Sequence, residues 1–296
     1  MADTMLSFND NSLSTDFLSM DDLRKACPAA FKTSPTNPNV SERYVHANTA
    51  TVVEDLAKLG WQPVQAKQCR PKKNSKGIRS FHMIALQNPE VKICKEVTDI
   101  NGNVTEIVDS YPRIILTNSH DGFNSFKFMV GLFRLVCSNG LVLCSNEMVN
   151  MTIRHINYTF EALREVVEKS IEQIPGIVNT MSVMKNTTLT EASKKELATE
   201  VVKIRKELDD NQQIELDEAT IMDILMPVRE EDKGDDLWTV FNICQEKLIK
   251  GGYHSVGKNN KIRKQRGITS IKKDIEYNQR LWEVASRYMP MASTAR

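Results

Sequence analysis

An α+β fold is predicted, with an antiparallel, β-rich N-terminal half followed by a helical C-terminal half. Apolar residues recur with period two between residues 61 and 117 and with near-helical spacing from about residue 150 onward. The two patterns follow one another instead of alternating, which is the element order of an α+β chain. Three regions result: a flexible N-terminal arm over 1–48, a β-rich core with one leading helix over 49–149, and a helical region over 150–296 that includes a basic loop at 251–273.

The arm is rich in Ser, Asp, Asn, Thr and Pro and poor in apolar residues. The leading helix takes Thr49 or Thr51 as its cap, carries Val52, Val53, Leu56 and Leu59 on one face, and stops at Gly60. Trp61–Arg70 and Arg79–Gln87 then read as strands around the polar turn 72–77. Val91–Thr98 and Val104–Val108 flank Asn101-Gly102, a strong hairpin signal. Pro112–Thr117 is a further strand. The apolar run after Gly122 favours strands around Ser138-Asn139-Gly140, although a buried helix over part of it satisfies the same periodicity.

Phe160, Leu163, Val166, Val167, Ile171 and Ile174 open the helical half, and their helix ends at Pro175-Gly176. Thr188 with Glu191 is a capping-box candidate for a charged helix over 190–208. Leu237, Val240, Phe241, Cys244 and Leu248 define another helix, stopped by Gly251-Gly252. The last helix carries Ile275, Leu281, Trp282, Val284 and Met289. Trp61, Trp238 and Trp282 lie in amphipathic elements, where core packing is the expected role.

With 296 residues, 41% hydrophobic and 26% charged, the composition is that of an ordinary globular chain and excludes global disorder, collagen-like repeats and a disulfide-stapled miniprotein. The N-terminus has no basic-then-apolar leader, and no run of about 18 uncharged apolar residues occurs. Six scattered cysteines without a CxxC pair read as reduced thiols, with no metal site. A cytoplasmic protein without membrane contact is expected.

The net charge of +1 conceals segregation. Residues 207–236 hold twelve acids and two bases, while 247–273 hold nine bases and no acid. A second acid-free block, 67–79, holds six bases. Like charges packed this densely repel unless something anionic meets them. Arg70, Lys72, Lys73, Lys76 and Arg79 in one block, and Lys258, Lys261, Arg263, Lys264, Arg266, Lys272 and Lys273 in the other, are therefore candidate nucleic-acid contacts. Tyr253 and His254 supply rings for base stacking. The alternative is a solvated basic loop that answers the acidic 207–236 stretch within the fold or in a neighbouring subunit.

Phosphate-binding, dinucleotide, zinc-protease and nucleophile-elbow motifs are all absent from the sequence, so no cofactor and no enzymatic activity are expected. In Asn118-Ser119-His120-Asp121-Gly122, a His–Asp pair at a strand end could serve as an oriented base. Asp-Gly there is also ordinary turn chemistry, with Asp accepting backbone N–H bonds and Gly taking positive φ. Arg134, a cation inside an apolar run, must be paired or face an anion.

The stretch Ile115–Leu143 resembles a set of phage- and plasmid-encoded proteins, the family catalogued as domain of unknown function 932. The resemblance rests on Asn118 to Gly122, on Phe133 to Asn139 and on Leu237 to Asn242, in that order. It implies a mobile-element origin and no settled activity. Asn118, His120, Asp121, Gly122, Arg134, Cys137 and Asn139 carry the motif without an assigned role. The order of elements is also similar to the core of Rad52-like single-strand annealing proteins, which form rings and bind strands in basic grooves.

The expected function is thus a non-enzymatic phage or plasmid protein that binds single-stranded DNA or RNA, anneals strands or protects mobile-element DNA, and forms a homo-oligomer. The rival is an interaction protein that inhibits a host defence or regulatory complex through its charged faces. A third reading is a metal-dependent nuclease centred on His120 and Asp121.

Overall fold

The computed structural model describes residues 17–37, 46, 48–69, 80–98, 102–122, 124, 126–134, 140–143, 152–153, 159–208, 216–257 and 261–290. Strands fill the N-terminal half and helices dominate the C-terminal half, as an α+β chain requires. The chain divides into two compact units, 1–140 with 151–164, and 141–150 with 165–296.

In the first unit, helix α1 (Met20–Ala26) and a 3-10 turn (Pro28–Phe31) precede α2 (Thr49–Lys58). A loose arm over all of 1–48 is therefore corrected: Leu23, Cys27 and Ala30 are fully buried. Ser19 and Asp22 close a capping box at the start of α1. The cap of α2 is Asn48, whose side-chain oxygen accepts from the amides of Ala50 and Thr51. Thr49 is thereby freed to turn inward.

Seven strands form one sheet: β1 (Gln62–Gln68), β2 (His82–Gln87), β3 (Ile93–Thr98), β4 (Val104–Asn118), β5 (Phe126–Arg134), β6 (Gly140–Leu143) and β7 (Thr152–Ile153). Their order is β1-β2-β4-β5-β6, with β3 on β4 and β7 on β5. The expected strands 104–108 and 112–117 are one continuous strand, β4. On one side it pairs first with β3, as far as Ser110, and then with β2, from Arg113. Pro112 falls between those two ladders, where its missing N–H leaves no bond unmade on that side. Strand β2 is buried on both faces, and with Val52, Val53, Leu56, Trp61, Ile114, Leu116 and Phe128 it forms the core of this unit.

The second unit holds most of α3 (Phe160–Glu172), then α4 (Ile174–Lys185), α5 (Glu191–Leu208), α6 (Glu218–Leu225), α7 (Leu237–Lys250) and α8 (Ile271–Ser286). Pro175 and Gly176 open α4 instead of ending the helical stretch, since proline suits a first turn. The cap of α5 is Thr190, whose hydroxyl accepts from the Ser193 amide, while Thr188 makes a bridge to Asp236. Helix α7 is buried from Leu237 through Leu248 and packs against α4, α5, α6 and α8. Trp238 lies 5.9 Å from the ring of Phe241, which meets Trp282 edge-on. Among the described residues, no helix is long and apolar enough to cross a membrane.

Candidate nucleic-acid interface

The segment expected as a basic loop at 251–273 contains a β-hairpin, β8 (His254–Gly257) paired with β9 (Lys261–Lys264). Val256 and Ile262 face each other across it, and their β-branched side chains favour extended backbone. The base of the hairpin is pinned from three sides. Gly251 closes α7 with φ +72°, and its neighbour Gly252 donates to the Gln265 carbonyl at 2.9 Å. Arg205, buried on α5, donates to the Arg266 carbonyl at 2.7 Å and lies over the Tyr277 ring. Asp223 of α6 accepts from the His254 amide at 2.7 Å and contacts its ring Nδ1 at 2.9 Å.

All four residues of β9 are exposed. Alternation along a strand places Lys261 and Arg263 on one face, Ile262 and Lys264 on the other. Gln265 spends both backbone groups on the β8 side, donating to the Tyr253 carbonyl and accepting from Gly252. The two-residue ladder repeat therefore turns the amides of Ile262 and Lys264 away from β8. Cationic side chains on both faces and backbone donors along the outer edge converge on one short strand.

Among the described residues, the acidic stretch does not neutralise this strand. Glu207 pairs with Arg280, Glu218 with Lys195, Glu230 with Lys233, Asp232 with Arg229 and Asp235 with Lys194. Asp217 and Asp236 cap α6 and α7. Asp223 is held below the usual carboxylate range, against the cost of its burial, by its bonds from His254 and by the charge of Lys247. Among the described residues, no carboxylate pairs with Lys261, Arg263, Lys264 or Arg266.

Other expected contacts fall elsewhere. Tyr253 is fully buried, its hydroxyl pushed up to about 12 by desolvation, so its role as a stacking ring is withdrawn. Its alternation with buried Ser255 is a strand pattern that a Gly/Asn-rich reading overlooks. His254 is exposed but engaged with Asp223. Lys272 and Lys273 lie in the first turn of α8, where Lys273 donates its amide to the Ser270 cap. Lys258, Arg70, Lys72, Lys73, Lys76 and Arg79 lie outside the described residues, as do Cys137 and Asn139. Arg134 ends β5, paired in register with Ser110.

The motif Asn118–Asp121 is wholly buried in the first unit, where it knots four chain segments together. Asn118 donates to the Thr49 hydroxyl at 2.9 Å, and Ser119 donates to Asp121 at 2.6 Å. Asp121 also accepts from the Ser80 amide at 3.4 Å. The His120 amide donates to Ser80 Oγ at 2.7 Å, and its carbonyl accepts from Thr36. The His120 ring lies 4.4 Å from that of His46 and 5.3 Å from that of His82. His82 Nδ1 must donate to the Ser80 carbonyl at 2.6 Å, so in the neutral ring Nε2 accepts from Thr49 at 2.9 Å. Gly122 takes φ +78° in the turn that follows. Among the described residues, no three His, Cys, Asp or Glu side chains form a metal-holding group. His120 and Asp121, on which the nuclease reading centres, are both buried in this packing.

A family model described as Domain of unknown function (DUF932) matches residues 38–282, which takes in the basic hairpin. Two curated relatives from Escherichia coli (strain K12), the UPF0380 protein YafZ and the UPF0380 protein YfjQ, are each 29% identical over 272 residues, spanning 90% of this chain and 90% of the relative. No solved structure matches, and the likeness in element order to Rad52-like proteins gains no support.

Proposed function

We propose that this chain, which belongs to the DUF932 family, binds nucleic acid through backbone phosphates on the β8–β9 hairpin. The observation that carries the reading is a strand without a carboxylate partner among the described residues: Lys261, Arg263 and Lys264, with Arg266 beside them, while Glu218, Asp232 and Asp235 of the same unit pair with other cations. Phosphates release counterions when such cations meet them, and outward amides such as those of Ile262 and Lys264 donate to anionic oxygens. Cations on both faces of a narrow ribbon are reached together by a strand that can wrap it. A duplex is stiff over about 150 base pairs, so single strands are the favoured form. The reading makes no use of stacking, since Tyr253 is buried.

The test replaces Lys261, Arg263, Lys264 and Arg266 together by Ala and follows a labelled single-stranded 40-mer by fluorescence anisotropy. With about 0.7 counterions released per contacted phosphate, removing four contacts is expected to weaken binding at least tenfold at low salt. Equal affinity in the two proteins would remove the hairpin from the account.

A further inference from the structure

Four of the exposed large apolar side chains fall within residues 216–228: Leu216, Met222 (50% exposed), Met226 (64%) and Val228 (63%). Met222 lies on α6 opposite the buried Thr220 and Ile224, and Met226 is the extended residue that closes the helix. Glu218 lies one turn before Met222, and Asp217 and Glu230 flank these residues. From Leu216 to Lys233 the chain has six acids and two bases, net −4. Thioethers adapt their shape to varied partners, and a compact apolar face of this kind marks an interaction surface. Its acidic rim repels phosphates, so nucleic acid is the wrong occupant. The occupant must bring an apolar centre with cations around it.

The described chain carries one such element. Of its eight exposed large apolar residues, only Ile262, 72% exposed, has a cation on each side, Lys261 and Arg263. It cannot cover the α6 face of its own chain. Asp223 grips His254 and holds β8 against α6, which leaves both β9 and the methionines open. Pairing of β9 with its own copy is also disfavoured, because like charges would lie across the ladder.

We propose that a second copy of this chain docks its strand Lys261–Lys264 on the apolar surface of Met222, on α6, and of Met226 and Val228, which follow it. Ile262 meets the thioethers, and the flanking cations meet Glu218, Asp217 and Glu230. The exposed Glu218–Lys195 and Glu230–Lys233 pairs exchange partners at little cost, since solvent screens exposed ion pairs and they contribute little. A surface this small gives a weak, salt-sensitive association. The same cations serve nucleic acid, so the two ligands compete for the hairpin.

The experiment is sedimentation velocity on the full chain without nucleic acid, loaded from about 1 to about 300 µM at low salt, where surface charges are least screened. Wild type is expected to sediment faster as concentration rises. Ile262→Ser, which keeps every cation, and the double variant Met222→Ser/Met226→Ser should each stay monomeric. An equimolar mixture of the two should associate again, because an intact α6 face in one meets an intact hairpin in the other. A wild type that stays monomeric, or variants that associate alone, would overturn the docking. Because Ile262→Ser retains the four cations, its nucleic-acid affinity reports on the phosphate reading independently.

Discussion

Acidification from pH 6.5 to pH 4 is expected to destabilise the first unit by about 3 kcal/mol, through His82 alone. Burial lowers the pKa of this imidazole from 6.5 to about 4, against the opposing pull of the Ser80 carbonyl and the Asp121 charge. The unfolded chain therefore binds the proton more readily than the folded one. Stability from the neutral ring is complete above pH 6.5, declines as pH falls, and is spent below pH 4. A difference of 2.5 pKa units is worth about 3.4 kcal/mol, and about 2 kcal/mol of it is gone by pH 5. The carboxylates held low in the second unit, Asp217, Glu218 and Asp223, lose their contribution lower on the scale. Urea unfolding followed by circular dichroism at pH 7, 6 and 5 measures the effect. His82→Gln should be less stable at pH 7 and nearly flat over that range, while an unchanged slope in the variant would assign the acid loss to other groups. The charge that acts on the ring is the Asp121 carboxylate, so Asp121→Asn tests whether it moderates the shift.

The second large effect is at Gly251. Its φ of +72° suits glycine, and a Cβ built there would stand 2.5 Å from the Gln265 carbonyl oxygen and 2.7 Å from the Arg266 carbonyl carbon. Those are backbone atoms at the base of the hairpin, so the collision cannot be relieved by a side-chain rotation. Gly251→Ala is expected to cost at least about 3 kcal/mol and to displace β8–β9, lowering nucleic-acid affinity with it. Gly252→Ala is the control. Its φ is +87°, but nothing lies within 4 Å of the added carbon, so only the backbone strain of about 1 kcal/mol applies. Thermal unfolding and anisotropy on both variants separate the two. Equal losses would mean that positive φ, and not the close crossing at Gln265–Arg266, is what Gly251 supplies.

The order of elements was legible because period-two and helical patterns are local properties of the chain. The stops of α2 near Gly60 and of α7 at Gly251 follow from residues within one turn of each terminus, whereas the α2 cap is Asn48 and not Thr49 or Thr51, and α8 ends before Met289. Helix α1 was also within reach: Leu23, Cys27 and Ala30 stand at helical spacing behind the Ser19–Asp22 box, and were obscured by the polar composition around them. Two features could not be read. The histidine cluster needs the register that places His82 opposite Asn118, a pairing 36 positions apart that no local pattern encodes. The pairing of the described acids in 207–236 is likewise a tertiary fact. Lys194, Lys195 and Arg280 reach them from other helices, which leaves β9 without a carboxylate partner among the described residues.

The charge on β9 is tested most directly by the salt dependence of binding. Anisotropy of a single-stranded 40-mer is titrated at several salt concentrations with wild type and with the Lys261/Arg263/Lys264/Arg266→Ala variant. Four phosphate contacts predict a slope of log affinity against log salt near −2.8 for wild type, a loss of about 50-fold between about 50 and 200 mM, and a slope close to zero for the variant. Parallel slopes in the two proteins, or no binding by wild type at the lowest salt, would contradict the assignment of β8–β9 as a phosphate-binding hairpin.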